Sequence, residues 1–251
     1  MSRWRSKPDL SWREQAKKKA ASDASDLVKD GHIVGLGSGS TAAFSIEEVG
    51  ERIRKEGLRI LGVPTSYQAF LLATAKAIPI TTLSEHPHLD LIIDGADQVD
   101  GALNMIKGMG GALTREKIVA SASKKRVYVV DETKLTERLG VNQTVPVEVL
   151  PFALSTVKAS IIKMGGAPVL RKATKKAGPV VTDNGNFILD IDFGPIENPL
   201  ELNRDLNSIP GLIETGLFAQ MADFVYVGKK DLTVRRLEAP RLTRTHKFAH
   251  A

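Results

Sequence analysis

Apolar residues recur along the first half of the chain in two alternating rhythms, and each change of rhythm marks a new element. From about Asp9 to Lys29, Ala16, Ala20, Ala24, Leu27 and Val28 fall on one helical face, with Gly31 as the expected stop. The run His32–Leu36 is a buried strand by its continuous apolar character, and a helix follows to about Lys55, closed by Gly57. Leu58–Val63 is a second strand, Pro64–Ala77 a helix, Ile78–Thr82 a short strand and Leu89–Ile93 a strongly apolar one. Thr114–Ser123 is helical again and Arg126–Val130 returns to strand. Strand and helix alternating in this way predict a parallel sheet with crossover helices.

Near Val145 the rhythm changes. Strands are expected at Val145–Leu150, Ala167–Arg171, Val180–Thr182 and Asn186–Asp192, with helices near Phe152–Met164 and Pro199–Asn207. Asp183-Asn184-Gly185-Asn186 is a hairpin turn, because Asn-Gly readily takes the positive φ values of a tight turn. Phe224–Val227 returns to the main sheet, and the basic segment from Arg235 onward is expected to be loose. The fold class is therefore α/β: a Rossmann-like parallel sheet domain of residues 1–143 plus 216–251, carrying a second, smaller α+β domain of residues 144–215.

Composition narrows the classes. The 251 residues are 42% hydrophobic but only 5% aromatic, so the core is aliphatic, as suits strands covered on both faces. No cysteine is present, which excludes disulfides, thiolate metal sites and a cysteine nucleophile. No run reaches the roughly 18–20 apolar residues of a membrane helix, and the start is polar, unlike a signal peptide. A cytoplasmic protein that binds no membrane is expected. The net charge of +6 fits an anionic small molecule better than nucleic acid, because the runs Lys17-Lys18-Lys19, Lys124-Lys125-Arg126 and Lys175-Lys176 are scattered and lack interleaved aromatics.

Four segments fall where ligands bind in an open parallel sheet, beyond the carboxyl ends of its strands. Gly37-Ser38-Gly39-Ser40-Thr41 would offer helix-start amides and hydroxyls to a phosphate, or be a plain tight turn. A dinucleotide fingerprint is disfavoured: the third glycine is missing, and Ile60–Val63 brings no acidic residue for a ribose. Asp94 and Asp97 either face a shared cleft, where sugar hydroxyls can be bound and one pKa raised, or form an acidic capping turn. A metal site has no histidine near it in sequence; His86 and His88 fit a surface loop. In Lys107-Gly108-Met109-Gly110-Gly111, the lysine precedes flexible glycines and can face an oxyanion. Glu116 is either a first-turn glutamate favoured by the helix dipole or a base on a carbon acid. Lys134, just past a strand end, gains meaning only in company.

As an ordered set these segments resemble the type A ribose-5-phosphate isomerase family. GLGSGSTA, GVPTSYQA, LIIDGADQVD, KGMGGALTREKIVA and VDETKLTERLG follow in the family's order, with PVEVLPFA and GPVVTDNGNFILD beyond them. The resemblance implies an aldose-ketose isomerase interconverting ribose 5-phosphate and ribulose 5-phosphate in the pentose phosphate pathway. It implies no cofactor and no metal, a sugar phosphate as the small-molecule partner, and a homodimer or homotetramer. Glu116 matches the proton-shuttling base, Asp94 and Asp97 the carboxylates beside the sugar, and Lys107 the residue holding the enediolate. Ser38, Gly39, Ser40, Thr41, Lys134 and Lys17 match phosphate-side positions, and Gly95, Ala96, Gly108, Met109 and Gly110 further substrate contacts. Gln98 stands where the family often has Glu, Met109 interrupts a run that is usually glycine, and Arg235–Ala251 has no counterpart. The rival class is a non-catalytic sugar-phosphate sensor, disfavoured because no DNA-binding module precedes the first strand and because Glu116, Lys107 and both aspartates occur together.

Overall fold

The computed structural model describes residues 10–239. A six-stranded sheet forms its centre. Helix α1 (Trp12–Ser25) precedes β1 (Ile33–Leu36), α2 (Gly39–Glu56), β2 (Leu61–Pro64), α3 (Tyr67–Ala75) and β3 (Leu89–Gly95). Two short strands, β4 (Gln98–Val99) and β5 (Met105–Ile106), come before α4 (Leu113–Ala122) and the long β6 (Ser123–Asp131). A second, four-stranded sheet is built from β7 (Val145–Val149), β8 (Ala167–Leu170), β9 (Phe187–Asp192) and β10 (Leu212–Thr215), with helices α5 (Leu154–Lys163) and α6 (Pro199–Asn207). The chain then returns through β11 (Leu217–Phe218), β12 (Phe224–Gly228) and β13 (Val234–Glu238).

In the main sheet the order is β13-β12-β6-β3-β1-β2, with every neighbouring pair parallel except β12 and β13. From β1 the chain goes to β2 on one side and then crosses to β3 on the other. That reversal opens a crevice beyond the carboxyl ends of β1 and β3, whose Leu36 and Ile93 are paired in register.

Alternation along β6 shows how the sheet is covered. Val127 and Val129 face a core with Ala20, Ala24, Ile46 and Ala73 of α1, α2 and α3. Tyr128 and Val130 face the opposite core, with Val119 and Ala120 of α4 and with Met105 and Phe218. The buried face of α1 is all alanine and serine, so its backbone lies close to the sheet: a Cβ added at Gly228 would stand 2.2 Å from the Ala16 carbonyl oxygen. A third core, around Val147, Ile161 and Leu189, belongs to the four-stranded sheet.

Several expectations need correction. Helix α1 starts later than Asp9 because Ser11 and Glu14 form a capping box, and it ends at Ser25 rather than Lys29. Neither Ile78–Thr82 nor Val180–Thr182 is a strand; Ile80 and Val181 each make a single bridge. Leu212–Thr215 forms an unexpected strand, as do the two-residue strands of a small sheet ordered β11-β5-β4. Arg235 is not the start of a loose tail, since Val234–Glu238 pairs antiparallel with β12. The rest of that segment, from residue 240, lies outside the described residues. No described helix is long and apolar enough to cross a membrane.

Candidate active site

A cleft of about 240 Å³ occupies the crevice between β1 and β3. Its first wall is the turn after β1. Gly37 must lack a side chain, because a Cβ there would meet the Asp94 carboxylate at 2.3 Å, and Gly39 takes φ +90 as α2 begins. Ser38 leaves α2 without a capping side chain; its hydroxyl instead meets Thr65 Oγ1 at 2.7 Å and Ser66 Oγ at 2.6 Å. The Gly39 amide donates to Gln68 Oε1 at 2.9 Å, and the next residues of the α2 first turn, Ser40 and Thr41, line the cleft.

Lys17 from α1 and Lys134 from the one-turn helix after β6 bring positive charge to the same cleft. Asp131 organises both. Its Oδ2 lies 3.4 Å from the Lys17 ammonium, while its Oδ1 accepts the Thr133 amide at 3.0 Å and so caps the turn bearing Lys134. These contacts outweigh the cost of its burial and hold its carboxyl below the usual range.

The floor carries the titratable groups. Lys107 is 3% exposed, and its ammonium lies 3.0 Å from Asp94 Oδ2 and 3.2 Å from Glu116 Oε2. Neither contact is aligned as a hydrogen bond; the ammonium donates instead to the Gly95 carbonyl at 2.5 Å. The rings of Tyr128 and Phe218 sit 5.7 and 5.4 Å from it. Burial works against this charge, but Asp94 and Glu116 outweigh burial and raise the Lys107 pKa, so the ammonium stays protonated. One cation is left to balance two carboxylates. Glu116, 4% exposed, has its pKa pushed up to about 8 by burial and by the charge of Asp94, against the pull of Lys107. Burial likewise raises the Asp94 carboxyl.

Most of the residues singled out in the sequence meet here. Lys17, Ser38, Gly39, Ser40, Thr41, Gly95, Ala96, Asp97, Lys107, Gly108, Gly110, Glu116 and Lys134 all line the cleft. Two are placed elsewhere. Asp94 lies wholly buried behind the floor, its Oδ1 taken by the Ser38 and Gly95 amides at 3.0 and 2.7 Å. Met109 turns its thioether toward Arg171, which also donates to the Gly108 and Met109 carbonyls at 3.0 and 2.9 Å. Its contribution is a backbone amide, which donates to Asp97 Oδ2 at 3.0 Å and pins the glycine loop.

The family model of ribose 5-phosphate isomerase A (phosphoriboisomerase A) matches residues 61–232. A ribose-5-phosphate isomerase A of Methanosarcina acetivorans is 52% identical over 87% of this chain and 92% of its own length. The chain belongs to the ribose 5-phosphate isomerase A family. A Thermosynechococcus vestitus member of that family is 51% identical over 86% of this chain and 92% of its own. Two solved isomerase structures superpose closely. One, a D-ribose-5-phosphate isomerase in complex with phospho-erythronic acid, is 44% identical with a TM-score of 0.88, covering 90% of this chain and 99% of the other. The other, the isomerase A of Methanocaldococcus jannaschii, is 45% identical with a TM-score of 0.87 over the same shares.

Against that family background the Gln98 departure has a structural reading. Its amide bridges the Gly140 amide at 2.9 Å and the Val141 carbonyl at 2.8 Å, with the side chain buried away from the cleft. A glutamine supplies both the acceptor and the donor that this bridge needs. Sequence reasoning also missed part of the isomerase cleft. Val180, Val181, Thr182 and Asp183 form a wall contributed by the turn ahead of β9, and Ser66 and Gln68 come from the start of α3. The Asn-Gly signal located the turn, but no local pattern could bring it to α4, where Arg115 donates to Asn184 Oδ1 at 2.7 Å.

Proposed function

We propose that this chain interconverts ribose 5-phosphate and ribulose 5-phosphate through a cis-enediolate, with Glu116 as the single proton shuttle. In this reading the opened aldose lies with its phosphate among the α2 start, Lys17 and Lys134, and with C1 and C2 over the floor. Glu116 removes the C2 proton and returns it to C1, and a carboxylate with a raised pKa is suited to both halves of that task. Lys107 cannot act as base, because it keeps its proton; it holds the charge that develops on the sugar oxygens, together with the amides of the glycine loop. Asp97 keeps that loop in place, and Asp94 acts from behind the floor by fixing Lys107 and tuning Glu116. The phosphate contacts supply binding energy remote from the reacting carbons. Residues 144–215 serve as the smaller domain and supply the far wall.

The observation that carries the reading is one buried ammonium shared by two carboxylates at the foot of a cleft walled by lysines and helix-start amides. A relative of the same fold is solved in complex with phospho-erythronic acid, a sugar-acid phosphate, and the lysines and hydroxyls lining this chain's cleft suit a ligand of that chemistry. The test is conversion of ribose 5-phosphate after dialysis against chelator. Glu116→Gln is expected to lose roughly 10²–10⁴-fold in turnover, the scale of general base catalysis, while keeping sugar-phosphate affinity. Full turnover in that variant would remove Glu116 from its role. Inactive but tightly binding wild-type protein would favour a sensor instead.

A further inference from the structure

Beside α4, the helix that carries Glu116, lies another buried carboxylate, which the chemistry above does not use. Glu148 stands next to the last residue of β7, an inner strand of the four-stranded sheet, with no solvent exposure. Four side chains donate to it. Thr114 reaches Oε2 at 2.6 Å, while Thr182, Asn184 and Asn186 reach Oε1 at 2.9, 3.0 and 2.8 Å. One donor belongs to the first turn of α4, and the other three belong to the turn ahead of β9. The two elements are also joined directly, since Arg115 donates to Asn184 Oδ1 and, at 2.8 Å, to the Asp183 carbonyl. Beyond them, the Asp183 carboxylate accepts the Tyr67 amide at the start of α3 at 2.8 Å.

We propose that Glu148 is a positioning residue for the isomerisation, fixing the α4 turn that bears Glu116 against the adjoining 182–186 turn, whose Thr182 and Asp183 line the cleft. The proposal rests on the isomerase reading given above. A buried carboxylate that accepts from every neighbour sets the distance between the groups that donate to it. Its removal strands four donors and leaves the two elements joined through Arg115, a looser link. Glu116 and the sugar-facing turn would then drift relative to Lys107. A catalytic group displaced by about 1 Å can cost on the order of 10²-fold in rate.

The experiment compares kcat, KM and the pH dependence of kcat/KM for the wild type, Glu148→Ala, Thr114→Val and Asn186→Ala. Glu148→Ala is expected to lower kcat/KM by roughly ten- to a hundredfold, to raise KM, and to displace the acid limb as Glu116 leaves its setting beside Lys107 and Asp94. Thr114→Val, which releases only the α4 contact, should act mainly on kcat, and Asn186→Ala, which loosens only the turn, mainly on KM. If Glu148→Ala does not fold, those two single-contact variants decide the matter. Wild-type KM and an unmoved acid limb, with turnover lowered only as folded protein is lost, would reduce Glu148 to a structural residue and overturn the proposal. An inactive wild type would instead remove the isomerase reading and the proposal with it.

Discussion

Asp94 shows how one residue can act on a reaction without touching the substrate. Its Oδ1 is spent on two amides, and its Oδ2 faces Lys107, so its effect reaches the cleft only as charge and position. Asp94→Asn keeps the shape and the amide contacts while removing the charge. Because that charge raises the Glu116 pKa, and because Lys107 would then lean more fully on Glu116, the variant should lower it. The acid limb of kcat/KM, expected near pH 8 in the wild type, should move to lower pH as the plateau rate falls. A limb that stays in place would mean that Asp94 does not tune the base. The sequence located Asp94 and Asp97 at one strand end but could not say that one faces the cleft and the other is sealed behind it. That division depends on the close approach of Gly37 in the turn after β1.

At the scale of elements, the seam between α1 and β12 brings two backbones into close contact. Gly228→Ala would drive a methyl into the Ala16 carbonyl, and backbone cannot swing aside as a flexible side chain can. Overpacking of this kind costs about 1–3 kcal/mol, so the melting temperature should drop by several degrees. The helix that must move carries Lys17, so KM for the sugar phosphate should rise as well. An unchanged melting curve would show that α1 can retreat freely. The elements legible in the sequence were the longer ones: the apolar runs of β1, β3 and β12, the helices α2 and α4, and α6 to the residue. Strands of two residues, such as β4, β5 and β11, have no period at all. The wall formed by the 182–186 turn was equally hidden, because its partners Tyr67, Arg115 and Glu148 lie far from it along the chain.

For the molecule as a whole, the buried cluster sets chemistry against stability. The folded chain favours the protonated form of Glu116, whose pKa lies near 8 against 4.5 for a free glutamate. With a raised carboxylate pKa, stability is fullest below the unfolded value and is lost as pH rises through the folded one. The form able to take the C2 proton is thus the costlier form to hold. Glu116→Gln removes the titration, so its melting temperature should exceed that of the wild type at pH 9, with the gap narrowing towards pH 6. A gap independent of pH would assign the effect to packing. The edges of the main sheet bear on a different property, the behaviour of the chain when many copies are crowded together. β13 closes one rim with Arg235, Arg236 and Glu238 exposed along five residues, and at the other rim β2 is four residues long, ends in Pro64 and is bridged at Gly62 by Ile80. Neither rim offers a long, flat, apolar ladder for another strand to extend. At both of its rims the main sheet therefore gives edge-to-edge growth into fibres little to build on.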